Sequence, residues 1–173
     1  MTTSATAAAP ITPLTRAQKR VAAHLVCGLT NPEIAGEEHL SGDTVSSHVR
    51  VMRESLHCPP RSSRAVLAHA LLSHEQVPPP PPPPPLLRRA FEPDADDLLL
   101  IRAVAEHSRP DDIARAARIP AGELRARTDG LVRRAGASNA AHLIGLAHTH
   151  GIFGGEGSAT AEQSLAQPAG AVR

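Results

Sequence analysis

The chain has 173 residues, a formal net charge of +1, no Trp or Tyr, and only two Phe residues. RNA-recognition sheets and single-strand binders need aromatic side chains on which bases stack, so this composition excludes those classes. Frequent alternation of β-branched and aromatic residues is also missing, which argues against a β-sandwich or a small barrel. The length allows one ordinary domain or two very small ones.

The sequence contains no signal that indicates secretion, membrane insertion or catalysis. Only Cys27 and Cys58 are present, so neither a disulfide framework nor a paired zinc knuckle is expected. The N-terminus resembles no secretory signal, and no run of about 18 apolar residues follows. No glycine-rich phosphate loop or nucleophile elbow occurs. We therefore expect a cytoplasmic protein that is not an enzyme and needs no metal or cofactor.

Eight consecutive prolines, Pro78 to Pro85, divide the chain. Such a run predicts a polyproline II rod of roughly 25 Å, at ~3.1 Å per residue. It is interpreted as a stiff spacer, and binding of the prolines to an aromatic-lined groove is the alternative. Composition on either side predicts a disordered tail at 1–13, a helical block at 14–72, a Pro-rich linker at 73–92, a second helical block at 93–153 and a disordered tail at 154–173.

The first block is predicted to contain four short helices. Thr15 can cap the first, with Gln18 as its capping-box partner and Gly28 as its stop. Thr30 or Asn31 can cap the second. The third begins at Ser41, and a fourth follows Pro59-Pro60. The third helix carries one apolar stripe at helical spacing, formed by Val45, Val49, Met52 and Leu56.

The second block is a weak repeat of the first at an ungapped offset of 79. Ile34-Ala35 aligns with Ile113-Ala114, and Leu67-Ala68-His69 aligns with Leu146-Ala147-His148. Apolar positions also coincide, as at Val45 and Leu124. A duplicated helical unit is therefore expected.

The first block resembles the LuxR-type helix-turn-helix DNA-binding domain over about residues 14–72. The matching residues are Leu14-Thr15, Val21, Gly28 to Asn31, Glu33 to Ala35, Ser41, Thr44-Val45, His48, Leu56 and Arg61. The expected fold is all-α, with two small LuxR-like four-helix units joined by a polyproline linker. The sequence departs from the family where Lys is common, at Ser46 and Ser55, and where a core Leu is expected, at Glu38. We expect Glu38 to reach solvent or the turn to be adjusted, because burying an unpaired carboxylate is costly.

The third helix predicts a face for the major groove of duplex DNA. Arg50 and Arg53 are expected to reach guanine edges or phosphates. The whole predicted DNA-binding set is Ser41, Asp43, Thr44, Ser46, Ser47, Arg50 and Arg53. A second face, for DNA or for a partner, is predicted at Arg125, Arg127, Arg133 and Arg134.

The resemblance implies a transcriptional regulator, and with 13 residues before the first block we expect no receiver or sensor domain. In the family the fourth helix commonly pairs two domains, so Val66, Leu67, Ala70 and Leu71 are expected to form a homodimer contact. A single-chain pseudo-dimer competes with that interpretation. The alternative function is a protein–protein adaptor that binds a partner such as RNA polymerase or a sigma factor, with little specific DNA binding.

Overall fold

The computed structural model describes residues 11–82 and 91–154, and these contain eight α-helices, one short 3-10 helix and no strand. The all-α prediction is therefore confirmed. The predictions for residues 1–10, for Pro83 to Pro85 and the remainder of the linker as far as residue 90, and for residues 155–173 lie outside the described residues.

The first block forms the four helices that the sequence predicts. They are α1 (Arg16–Val26), α2 (Asn31–Glu38), α3 (Gly42–Ser55) and α4 (Arg64–Ser73). Local side chains fix where the helices begin. The Thr15 hydroxyl accepts from the Gln18 N–H at 3.3 Å, and the Gln18 amide oxygen accepts from the Thr15 N–H at 2.8 Å. Ser63 caps α4 by accepting from the Val66 N–H at 3.1 Å.

The second block also forms four α-helices. These are α5 (Ala95–Glu106), α6 (Pro110–Ala116), α7 (Leu124–Arg134) and α8 (Ala140–Thr149), and the 3-10 helix (Ala121–Glu123) leads into α7. Asp94 caps α5 and Asn139 caps α8 through their side-chain oxygens.

Turns in the two blocks share unusual backbone conformations at the offset of 79. The residue that ends α2, His39, is left-handed with φ 54°, and its counterpart after α6, Arg118, has φ 57°. In both turns the next N–H donates to the carbonyl five residues back, at 2.9 and 3.0 Å. His57 after α3 and Gly136 after α7 are likewise left-handed, at φ 52° and 65°. The two turns after the first helix differ, because Gly28 there has φ 89° and the residue at the end of α5 is extended.

The register of the repeat changes before the last helix. Ser63 caps α4 and Asn139 caps α8, which is an offset of 76 because the loop before α8 is three residues shorter. The ungapped alignment of 67–69 with 146–148 is therefore wrong as a structural equivalence. In the structure Leu67 corresponds to Leu143, and both side chains are fully buried.

The two blocks share one apolar core. Helix α4 packs along α8 in the most extensive helix–helix contact of the described residues, and α1 also contacts α8 while α4 contacts α5. The start of the proline run lies against this assembly, because Thr149 donates its hydroxyl to the Pro80 carbonyl at 2.8 Å. The two blocks therefore contact each other directly and are not held apart by a spacer.

Candidate nucleic-acid interface

Helix α3 has one buried side and one exposed side, as its sequence predicts. The side chains of Val45, Val49 and Met52 are buried against the core. At the N-terminus the Ser41 hydroxyl accepts from the Thr44 N–H at 3.1 Å and lies 2.9 Å from the Thr44 hydroxyl. These two predicted DNA-contacting side chains thus hold the start of the helix.

The exposed side of α3 carries Asp43, Ser46, Ser47, Arg50 and Glu54. A guanidinium N–H of Arg50 donates to the Glu54 carboxylate at 3.1 Å, and the two side chains are 69% and 62% exposed. An exposed i, i+4 ion pair contributes only about 0.3–0.5 kcal/mol, so a stronger acceptor can displace Glu54 from Arg50. Arg50 is therefore available to a phosphate or a guanine.

Arg53 does not share the exposure of Arg50. It is half-buried, and its Nε atom is buried without a hydrogen-bond partner among the described residues. Burial lowers the pKa of the Arg64 guanidinium, and the charge of Arg53 lowers that pKa further, so the two arginines lie close together. Arg53 thus lies near Arg64 and is less accessible to DNA than Arg50.

A polar cluster joins the starts of α2 and α4 to α3, and sequence reasoning missed most of it. The amide nitrogen of Asn31 donates to the Ser46 hydroxyl at 3.0 Å. Arg64 donates to the Asn31 amide oxygen at 2.5 Å and to the Leu29 carbonyl at 2.6 Å. Asn31 was predicted only as a possible cap, and nothing in the spacing indicates that Arg64 returns to α2. These bonds fix the position of α3 on its scaffold.

Glu38, which stands where the family has an apolar residue, is paired and largely covered. Its side chain is 12% exposed, and its carboxylate accepts from Arg20 Nε at 2.7 Å and lies 3.0 Å from His24 Nε2. Burial alone would raise the pKa of Glu38, but the hydrogen bonds and charges of Arg20 and His24 bring that pKa below its ordinary value. Partners on α1 thus satisfy the charge, and they were absent from the sequence-based expectation.

The arginines of α7 are exposed, and several face carboxylates. Arg133 is exposed near the end of the helix. The ion pairs are Arg125 with Asp129 at 3.8 Å, Arg127 with Glu123 at 3.0 Å, and Arg134 with Asp97. This second predicted face is therefore less positive than its arginine content indicates.

The four residues predicted to join two chains are covered by the chain itself. Val66, Leu67 and Leu71 are buried and Ala70 is half-buried, in the helix that packs along α8. The contact between two chains stays a prediction, and this burial favours the single-chain alternative.

Other chemistry is sparse among the described residues. They hold no cluster of three or more His, Cys, Asp or Glu residues that could bind a metal ion. Both thiols are free and half-buried, and burial raises the pKa of Cys27 and of Cys58. In the same ranges, no helix has the length and apolar character needed to cross a membrane.

Four helices, with a capped third helix whose outer face is polar, define a helix-turn-helix DNA-binding unit. Residues 12–69 match the family model for bacterial regulatory proteins of the luxR family, GerE. This segment is therefore a LuxR-family helix-turn-helix domain, and the chain is a DNA-binding transcription regulator. Domains of this family bind DNA and are not enzymes. No curated protein and no solved structure matches the chain.

Proposed function

We propose that the protein binds duplex DNA with α3 in the major groove. The observation that carries this proposal is the division of α3 into a buried stripe of Val45, Val49 and Met52 and an exposed polar side. An α-helix fits the major groove, where each base pair presents its own pattern of donors and acceptors. The exposed side of α3 is polar and small near its start, which allows a close approach.

Six of the seven predicted DNA-binding residues have a role in this arrangement. Arg50 leaves Glu54 and donates to a guanine edge or to a phosphate. Ser46 and Ser47 donate their hydroxyls to phosphate oxygens, while Ser41 and Thr44 keep the helix start in place. Arg53 contacts the DNA backbone from the side of α3 and helps to hold the helix in position.

Exposed cations on α1 extend the contact to the phosphate backbone. Arg16 and Lys19 are exposed, and Arg20 is held by Glu38. Each phosphate neutralised by a cation adds about 0.9 to the slope of log affinity against log salt. Because Ser46 and Ser55 replace two common lysines, we expect a shallower slope and a weaker complex than those lysines would give.

To test this proposal, the full-length protein first selects duplexes from sheared genomic DNA at two salt concentrations. The affinity of Arg50→Ala for the enriched duplexes is then measured. We expect the variant to bind its enriched duplex about 5- to 150-fold more weakly, because one charged base contact is lost. Arg102→Ala is the matched control, since it removes the same charge from α5 beside the cavity that His69 and His148 line. Equal affinity of Arg50→Ala and the control would refute the docking of α3.

A second candidate function is supported by the charge pairs of the second block. Carboxylates beside Arg125, Arg127 and Arg134 lower the net positive charge of this block, which weakens its attraction for DNA. Its helices could instead bind a protein such as RNA polymerase or a sigma factor. That role predicts that the purified protein enriches no DNA motif at either salt concentration and binds the polymerase in a pull-down.

A further inference from the structure

We infer that one chain binds a duplex with two unlike half-sites, α3 in the first and α7 in the second. The inference rests on the proposed function, and it adds the kind of DNA site and the number of chains that occupy it. It also takes residues 14–72 and 93–153 as two copies of one unit.

The recurring turns are the first support. A left-handed residue occurs at the same point after the second helix of each block, and again after the third. His39 and Arg118 are L-residues, which rarely adopt this conformation, so its recurrence at one offset marks a repeated backbone path. Helix α7 thus occupies in the second block the place that α3 occupies in the first.

Reciprocal contacts between the two units are the second support. Asn139, the cap of α8, donates to the Gly28 carbonyl at 2.6 Å, in the turn between α1 and α2. Ser63, the cap of α4, donates its N–H to the Ser108 hydroxyl at 2.8 Å, in the turn between α5 and α6. Each unit thus uses the same cap position to contact the same turn of the other unit. Such an isologous contact is the mark of two-fold symmetry, here approximate and within one chain.

The site that would join two chains is already occupied. Leu67 and Leu71 on α4 and Leu143 on α8 are fully or almost fully buried where these helices pack. A homodimer through α4 would have to expose the apolar side of α8. One chain therefore supplies both units of a two-fold arrangement, which suits the local two-fold symmetry of duplex DNA.

The two outward faces are chemically different, and this difference predicts an asymmetric site. At the offset of 79, Arg50 corresponds to Asp129 and Glu54 corresponds to Arg133. The charge is therefore reversed at both positions. An arginine prefers the acceptors of guanine and an aspartate prefers the amino group of cytosine, so the two helices favour different bases at equivalent steps. An inverted repeat would give each helix the same bases and would suit only one of them.

The ion pairs on α7 do not prevent this contact. The pair between Arg125 and Asp129 is 3.8 Å long, and the two side chains are 95% and 57% exposed. Pairs as exposed as this contribute little, so the Arg125 guanidinium can turn to a phosphate while Asp129 faces a base.

The experiment starts from the motif that the full-length protein enriches from sheared genomic DNA. Three duplexes are compared: the enriched site, an inverted repeat of the half-site bound by α3, and the enriched site with the half-site of α7 scrambled. For each duplex the affinity is measured, and sedimentation gives the number of chains bound. Arg133→Ala tests α7 and Arg50→Ala tests α3, and Arg102→Ala is the control for lost charge. Circular dichroism of each variant checks that the helices are retained.

We expect two unlike half-sites, about one helical turn apart, with one chain per duplex. Arg133→Ala should weaken binding about 5- to 150-fold and relax base preference only in the second half-site. An inverted repeat bound by two chains would overturn the inference. So would a single half-site on which Arg133→Ala has no effect, and both of these results would leave the proposed function intact. No enriched motif for a folded protein would remove both the inference and the proposed function.

Discussion

Gly145 lies where α8 crosses the end of α1, and a side chain there tests the contact between the two units. A Cβ atom added at Gly145 would lie 2.6 Å from the carbonyl oxygen of Val26 and 2.9 Å from Cγ of Pro80. The nearest of these atoms belongs to the backbone, so it cannot rotate away. Gly145→Ala therefore requires α1 and α8 to separate.

A matched substitution isolates the cost of this separation. Gly130 lies within α7, and no atom beyond the neighbouring backbone of α7 itself lies within 4 Å of a Cβ added there. Replacing a helical Gly by Ala favours the helix by about 1 kcal/mol at either position. This gain cancels between the two variants, so their difference in the free energy of unfolding is the packing cost at Gly145. Inserting a carbon into a packed interior costs about 1–3 kcal/mol.

Thermal and urea unfolding of Gly145→Ala and Gly130→Ala measure this difference. At about 2–4 °C per kcal/mol for a chain of this size, Gly145→Ala should melt roughly 2–12 °C below Gly130→Ala. Gly130→Ala should melt at or above the parent protein. If both variants were equally stabilised, α1 and α8 would not approach as described, and the single-chain arrangement of the two units would be refuted.

Two further predictions concern acidity and salt. Burial and the neighbouring imidazole of His69 lower the pKa of His148 from 6.5 to about 4. Between these values the unfolded chain binds a proton that the folded chain does not, so acidification through this range lowers stability. Urea midpoints from pH 7 to pH 4.5 should fall less for His148→Asn than for His150→Asn at the exposed end of α8. Ser55→Lys should tighten duplex binding and steepen the salt slope by about 0.9. Ser73→Lys, on α4 and equally charged, should leave the slope unchanged in a titration at several salt concentrations.

Local signals predicted the helices well, because a cap and an apolar period act within one or two turns. Thr15 with Gln18 and Ser41 start helices as predicted. The apolar stripe of α3 became its buried side for the same reason. The family and the position of its recognition helix also follow from short motifs in a fixed order.

Contacts between distant residues could not be predicted from the sequence, because periodicity shows which side of a helix is apolar and not what covers it. The stripe on α4 fitted a second chain as well as it fits α8, and a shortened loop before Asn139 shifted the register that an ungapped alignment assumes. The partners of the Glu38 carboxylate could not be predicted either. Glu38 was expected at solvent or in an altered turn, and the packing of α1 brought Arg20 and His24 to it.

Within α3, the sequence determined which residues form the helix and which of its sides is apolar. It treated Arg50 and Arg53 as equivalent. Only the tertiary structure separated them, because the folded chain buries Arg53 Nε while leaving Arg50 exposed. Helical spacing is a property of one element, whereas burial at its edges depends on the neighbours that the whole chain assembles around it.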